Sequence, residues 1–464
     1  ASLYYPNVFT IANINMSSSA YIEESDDARR QMQSFFAMAQ LGYKESLYLD
    51  VTARNDWSST LAFTERKSRG FFYPSVGLSW IIPKSFSMPS LISFGKVRAS
   101  WSKVGNDIPL FVSNTVGHIA AGGIPQPNDT APFGTLKPEM SSSFEIGTEW
   151  KFFDYRMDVD LTFYKTNTKN QLFSLPSSAG AAYKYYFVNA GNIQNMGVEL
   201  TFGAVPILTN QFKWNTTLNF SRNKNEVKKL HDDLASFIQG DEGFSSSYTM
   251  RLVEGGSFGD IYGKAFERDK YGAIVYGRDG LPQEIGSGNT AKVGNCNPAF
   301  LLGWGNSFTY KDFSFYFLID GHFGGDVLAQ TQAVLDQTGV SKVSGEARTM
   351  GYVDLEGHHI YNIKGFYEQV GGRNGVTEYY MYDATNIRLR ELSLGYTLPK
   401  RLLGRKQFLK KAELSFVARN LFFIYKKAPF DPDAVLSASN SNQGIDIFGI
   451  PTTRSVGFNV KLSF

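Results

Sequence analysis

The feature that most constrains this chain is a two-residue alternation of apolar and polar side chains, sustained over segments close to ten residues long. Side chains two apart on a strand share a face. In seven segments one face reads Phe144, Ile146, Thr148, Trp150, Phe152; Val159, Leu161, Phe163; Met196, Val198, Leu200, Phe202; Phe212, Trp214, Thr216, Leu218, Phe220; Phe313, Phe315, Phe317, Ile319; Leu414, Phe416, Ala418; and Val456, Phe458, Val460, Leu462, Phe464. Of these 29 positions two are polar, both threonine, and none is charged. The opposite face includes Glu145, Glu149, Lys151, Asp158, Asp160, Glu199, Lys213, Asp320, Glu413, Arg419 and Lys461. Two folds are open to such strands. In a soluble sandwich the apolar faces close on each other as a core. In an outer-membrane barrel they face lipid, and the polar faces line the lumen.

Strand and connection lengths favour the barrel. Candidate strands cover 2–15, 33–43, 46–55, 72–80, 93–103, 142–152, 154–166, 194–204, 212–222, 300–309, 313–323, 387–398, 413–421 and 456–464. Many approach ten residues, where globular strands average about 5–6 and tilted membrane-spanning strands need about 9–11. Short connections (Lys44-Glu45, Phe153-Asp154, 205–211, 310–312, 399–411) alternate with long ones at 56–71, 104–141, 167–193, 223–299, 324–386 and 422–455. Up-and-down membrane barrels place short turns in the periplasm and long loops outside. A Greek-key sandwich scatters its long connections irregularly. The alternation slips by one residue within 33–43 and 387–398. Inside 223–299, the segments 262–268 and 271–276 read as a hairpin, so the expected count is fourteen to sixteen strands.

Composition excludes other classes. Aromatic residues make up 15% of the chain and charged residues 19%, against about 25% charged in soluble domains; a disordered chain needs the reverse balance. A net charge of +3 without a basic tract gives nucleic acid no footing. The single Cys296 forms no internal disulfide and no cysteine zinc site. No apolar run reaches the roughly 18 residues of a transmembrane helix. The chain opens Ala1-Ser2-Leu3-Tyr4-Tyr5 without a signal peptide, as expected of a processed precursor or part of a longer protein.

The last residues, Val456 to Phe464, end on a phenylalanine with apolar side chains at every second position before it. Phe458 and Phe464 there resemble the assembly signal of bacterial outer-membrane barrels. Further segments carry a more specific resemblance: Leu49-Asp50-Val51-Thr52-Ala53-Arg54-Asn55-Asp56-Trp57-Ser58-Ser59; Tyr73-Pro74-Ser75-Val76-Gly77-Leu78-Ser79-Trp80; Val97-Arg98-Ala99-Ser100-Trp101-Ser102-Lys103-Val104-Gly105-Asn106; Lys137-Pro138-Glu139 leading into Phe144-Glu145-Ile146-Gly147; Asn192-Ile193-Gln194-Asn195-Met196-Gly197-Val198-Glu199-Leu200; Leu392-Ser393-Leu394-Gly395-Tyr396; and Arg419-Asn420-Leu421. In order and spacing these resemble the SusC/RagA family of TonB-dependent outer-membrane transporters from Bacteroidetes.

The resemblance implies an all-β fold, a transmembrane antiparallel up-and-down β-barrel of about 22 strands, of which fourteen to sixteen fall here. It implies that residues 1–464 are the C-terminal part of that barrel with long extracellular loops. The N-terminal extension, TonB box, plug and first barrel strands are not in this sequence. It further implies import of an oligomeric nutrient, glycan or else peptide, with a SusD-like surface lipoprotein and the TonB complex as partners. Outer-membrane lipid surrounds the wall, and a dimer of transporter–lipoprotein pairs fits the family. No cofactor and no catalysis are required. A passive porin and a soluble all-β glycan-binding protein are the other functions open to these strands.

Signals of chemistry are weak. Asp354, Glu356, His358 and His359 cluster in one loop, but adjacent histidines on an extended segment point to opposite faces, whereas a metal needs converging ligands. Asp158 and Asp160 share a strand face in the manner of a glycosidase pair, yet lumen-lining residues need no such role. Gly255-Gly256-Ser257-Phe258-Gly259 lacks the Lys-Ser/Thr of a phosphate loop and reads as a turn. Cys296 reads as a chance thiol in a turn-rich segment. The lumen-lining expectation covers Glu145, Glu149, Asp158, Asp160, Glu199, Lys213, Asp320 and Arg419. Loop aromatics carry the substrate- or lid-contact expectation: Tyr183, Tyr185 and Tyr186 in one loop, Phe244 and Tyr248 in another, Tyr379 and Tyr380 in a third. Such rings stack on sugars and anchor interfaces, or else pack within loops. Trp57 reads as girdle or rim.

Overall fold

The computed structural model describes residues 29–464 except 65–69, 114–117, 121–123, 127, 134–135, 178–179, 232–234, 240–246, 287, 400–402, 404–408 and 436–441, together with 2–3, 5–8 and 14–15. Thirteen strands form one antiparallel sheet: β1 (Met32–Tyr43), β2 (Leu47–Ser58), β3 (Gly70–Ile81), β4 (Ile92–Asn106), β5 (Glu139–Phe152), β6 (Met157–Pro176), β7 (Tyr185–Leu208), β8 (Phe212–Lys229), β9 (Phe300–Tyr310), β10 (Phe313–Phe323), β11 (Asn386–Thr397), β12 (Lys411–Lys426) and β13 (Ser455–Ser463). Each pairs only with its neighbours in sequence, from β1 at one edge to β13 at the other. Thirteen of the fourteen strands expected from the sequence are therefore present. The expected strand 2–15 is not a wall strand: its ends, Ser2–Leu3 and Ile14–Asn15, pair with each other as a separate two-stranded antiparallel sheet, and residues 4 and 9–13 lie outside the described residues.

Two expectations need correction. The hairpin expected at 262–268 and 271–276 adds nothing to the wall. Tyr262 belongs to a separate four-stranded loop sheet (Ser236–Gln239, Tyr248–Val253, Asp260–Gly263, Ala291–Asn295), and Arg268 meets Ile274 as an isolated bridge. The segment 167–193 is not a loop throughout. β6 and β7 stay paired through it up to Pro176 and Tyr185. Backbone ladders need no apolar face, and here Asn167 and Asn192 bond side chain to side chain at 2.9 Å. The slip within 387–398 has a cause. A register shift sets Leu318 and Ile319 opposite Glu391 and Leu389, leaving Arg390 as the extra residue of a bulge.

Short turns close one end of the sheet. Lys44 and Glu45 (φ 51° and 52°) and Lys311 (φ 52°) take the left-handed conformation that suits tight hairpins to the strand twist. Long connections gather at the other end, including three helices: α1 (Gln330–Gln337), α2 (Lys342–Met350) and α3 (Ile363–Val370).

Register shows that the alternation holds across strands as well as along them. Leu41, Leu49, Leu78, Ala99, Ile146, Phe163 and Val198 form one apolar row across seven strands. No protein covers this face among the described residues: Phe144, Ile146, Leu161 and Trp304 are each more than two-fifths exposed. A sandwich buries these positions. The eight residue steps from Phe144 to Phe152 extend about 27 Å along the strand, or about 20 Å of depth once tilted, near the roughly 25 Å apolar band of outer-membrane barrels. Packed cores lie at the loop end instead, around Phe366 and Tyr380, around Leu252, and around Leu61 and Leu136.

Two polar side chains on the apolar face accept from indoles, while Thr148 donates to the Lys96 carbonyl at 3.2 Å. Trp304 donates its Nε1–H to Thr216 Oγ1 at 3.0 Å, and Trp214 donates to Asn306 Oδ1 at 3.0 Å. Hydrocarbon offers an indole no acceptor, so the wall supplies one.

Candidate functional site: the polar face and the loop end

The face opposite the apolar one is continuous too. Lys96, Glu149, Asp160, Thr201, Asn219, Gly303, Asp320 and Arg388 form one row across eight strands. Lys151, Asp158, Gly203, Thr217, Gly305, Leu318, Glu391 and Arg419 form the row nearer the turns. Glu145, Glu199 and Lys213 take the same face, opposite Tyr164, Thr162 and Thr309. Charges of both signs neutralise one another there. Arg98 grips Asp160 with both prongs, at 3.0 and 2.7 Å. Arg390 reaches Asp320 at 2.6 Å and Arg419 reaches Glu391 at 3.0 Å. Asp158 and Asp160 are thereby separated in function: Asp160 is engaged by Arg98, while Asp158 lies over the bare backbone of Gly203.

Arg388 is a hub that periodicity did not single out, because the bulge beside it breaks the pattern. Its side chain is 2% exposed. It bonds Asp433 from the last long loop, donates to Thr452 Oγ1 at 3.3 Å and lies 4.8 Å from the Phe423 ring centroid. Asp431 binds Thr452 Oγ1 at 2.5 Å. This loop is thus fastened to the polar wall. A hollow of about 450 Å³ beside it is lined by Glu199, Asn219, Asp320, His322, Arg388 and Arg390, among others. A second hollow, about 500 Å³, lies at the loop end between Asp107, Lys137, Glu139, Gln171, Phe173 and Phe258. Asp107 is its fixed anion, accepting from Ser58 Oγ at 2.6 Å and Thr60 Oγ1 at 2.5 Å and pairing with Arg30 at 3.2 Å. Two segments singled out in the sequence, 49–59 and 97–106, meet at this point. Asp56 is held similarly, by Arg54 at 2.7 Å and the Tyr73 hydroxyl at 2.7 Å.

Comparison with known proteins decides the family. The profile of TonB-dependent receptor-like β-barrels matches residues 2–421. This chain belongs to that family. TonB-dependent receptor P3 of Formosa agariphila is 26% identical over 489 residues, covering 97% of this chain and 47% of the relative. TonB-dependent receptor SusC of Bacteroides thetaiotaomicron is 22% identical over 491 residues, 96% of this chain and 46% of the relative. The chain spans about half the length of the curated relatives it matches. The RagAB peptide importer in its open-open state superposes with a TM-score of 0.76 at 18% identity, over 98% of this chain and 49% of that one, which establishes a shared fold. The TonB-dependent receptor barrel is an outer-membrane structure.

In this TonB-dependent barrel the loop aromatics divide. Tyr183, Tyr185 and Tyr186 stay on the surface at the β6–β7 tip, each about two-fifths exposed. Tyr185 also bonds through its backbone to Asp129 and Ala131. Tyr248 and Tyr380 are 3% and 1% exposed. They pack the loop core and present no contact surface in this conformation, correcting the expectation for both. Burial drives the Tyr380 hydroxyl pKa far upward, and Asp336 beside it, accepting at 3.1 Å, adds to the shift. Tyr379 is half-buried and meets Phe366 edge-on at 5.3 Å. Phe244 lies outside the described residues. Trp57 sits in β2 and is 47% exposed. Phe458 and Phe464 project from the edge at β13, 84% and 62% exposed.

The remaining chemical signals resolve into structure. His358 lies against Tyr276 and His359 against Tyr352, each at 4.0 Å between ring centroids, on opposite faces of a short hairpin. Glu356 is engaged by the Arg268 guanidinium, whose hydrogen bonds hold it below the usual carboxylate range. Burial pushes the Cys296 thiol up to about 11, which suppresses thiolate reactivity. Gly255, at φ 79°, makes the glycine-rich segment a turn between two loop strands.

Proposed function

We propose that this chain forms the wall and outward loops of a TonB-dependent importer that carries an oligomeric nutrient across the outer membrane with a SusD-like surface lipoprotein. The observation that carries this reading is an uncovered apolar outer face backed by continuous polar rows, with packed loops capping one end. In it, residues 1–464 are the C-terminal part of the barrel, and the plug and TonB-contacting segment belong to the half of the protein outside this sequence. Glu145, Glu149, Asp158, Asp160, Glu199, Lys213, Asp320 and Arg419 line the passage. Tyr183, Tyr185 and Tyr186 meet the lid or the incoming molecule. Phe458 and Phe464 serve barrel assembly. Transporter–lipoprotein pairs associate as dimers. The role asks for binding and passage, without catalysis.

Mixed charge along the polar rows suits a neutral or mixed-charge oligomer over a strongly charged polymer. Glycan stands ahead of peptide on the habit of SusC-like proteins, while the RagAB relative is described as a peptide importer. The test is uptake by cells carrying the full-length protein, with fluorescent oligosaccharides and oligopeptides, in the presence and absence of TonB. Uptake of one class that stops without TonB, together with recovery of a surface lipoprotein on the tagged transporter, is expected. Uptake indifferent to TonB points to a passive barrel.

A further inference from the structure

The outer face carries a depression that the wall leaves unfilled. It measures about 410 Å³ and lies between Phe308, Tyr310, Phe313 and Phe315 on one side and Leu394 and Tyr396 on the other. These residues belong to the two apolar rows nearest the short turns, Tyr310–Phe313–Tyr396 and Phe308–Phe315–Leu394. Phe313 and Tyr396 touch at 4.7 Å between centroids. Phe313 and Leu394 remain 59% and 51% exposed. Their neighbours Ser314 and Gly395 belong to the other face, so the wall has no side chain left to fill the space.

Charge marks one mouth of the groove. Lys311, in the turn between β9 and β10, holds its ammonium 5.3 Å from the centroid of the Tyr310 ring that lines it. Among the described residues that ammonium makes no ion pair. Tyr310 and Tyr396 bring amphipathic rings to the same level, where aromatic belts meet headgroups. An apolar slot continuous with the lipid-facing surface, with a cation at its headgroup end, matches one amphiphile. We propose that this groove holds one acyl chain of a phospholipid from the periplasmic leaflet, its phosphate placed at Lys311. The site is separate from the polar passage and does not depend on what is imported.

Native mass spectrometry of the full-length transporter, purified from outer membranes in mild detergent and progressively delipidated, tests this. The unaltered protein is expected to retain one phospholipid after bulk lipid is gone. Leu394→Trp fills the groove and should abolish that retention. Lys311→Ala should weaken it about fivefold, the value of one cation near an anionic surface. Leu161→Trp, on the same face but far from the groove, should leave it intact and controls for barrel integrity. Equal retention by Leu394→Trp and the unaltered protein would overturn the proposal. So would loss of a dimer peak in place of a lipid adduct, which would assign the groove to a second copy.

Discussion

Arg98 reaches Asp160 by crossing the bare backbone of Gly147, which lies on the strand between them. A side-chain carbon at Gly147 would sit 2.7 Å from Arg98 Nε. The pair joins β4 to β6 over β5, and it explains why an arginine in 97–106 and a glycine in 144–147 occur as they do.

Gly147→Ala should therefore act through Arg98. The arginine is the flexible partner, so the expected outcome is a displaced guanidinium and not a broken wall. Both Gly147→Ala and Arg98→Ala should cost about 0.5–1 kcal/mol, since the pair is a third exposed. The double variant should cost no more than either single one, as coupled neighbours do. Urea unfolding in lipid vesicles measures all three.

A charge on the outer face should be penalised by depth. Leu161 lies midway along the apolar band, whereas Met196 sits in a row that already holds Lys165 and Lys224. Leu161→Lys is expected to cost about 2–4 kcal/mol and Met196→Lys about 0–1 kcal/mol. Equal penalties would contradict a lipid-facing wall.

The indole pairing on that face predicts an asymmetry. Thr216→Val leaves the Trp304 N–H without an acceptor and should cost about 1–3 kcal/mol. Adding Trp304→Phe to Thr216→Val removes the orphaned donor and should recover much of that stability. The same vesicle unfolding experiment reads both.

The loop core should fail independently of the wall. Phe366 in α3 is fully buried, and Phe366→Ala is expected to cost the loop unit about 3–5 kcal/mol. Limited proteolysis should then cut within 324–385 and 230–299, while the barrel still migrates as a compact, heat-modifiable band on gels. Loss of that band would show that the wall depends on the loops.

Acid should loosen the loop end. Glu356 has its folded-state pKa below its unfolded value because Arg268 bonds it. Its contribution is therefore present at neutral pH and lost as pH falls through that lowered value. Protease resistance around the 353–360 hairpin should drop on acidification below about pH 4. In Glu356→Gln the hairpin should start less resistant and change less over the same range.

The wall was legible in the sequence because lipid enforces its own grammar. Every second side chain of β5, β6 and β8 must tolerate hydrocarbon, and the alternation records that demand residue by residue. Of the two slips, the one within 387–398 marked a real bulge at Arg390, whereas 33–43 pairs without a register shift. The loop end was not legible for the opposite reason. Tyr248 and Tyr380 look like exposed platforms until contacts more than a hundred residues apart bury them. Helix α2 left only faint local signs, Ser341 capping the Ser344 N–H and Gly351 ending the helix at φ 83°. Arg388 stands out only once the loop carrying Asp433 and Thr452 is folded back on it.

The sheet order carries a consequence for how such walls change over time. Every ladder of the thirteen-stranded wall joins neighbours in its chain order, so each hairpin is registered by its own turn and its own neighbours. Adding or deleting a single strand would reverse the direction of all that follow it and move the long loops to the wrong side of the membrane. Adding or deleting a hairpin preserves both. Growth of these proteins is thus quantised in pairs of strands, and the pore circumference changes in steps that leave the surviving rows in register.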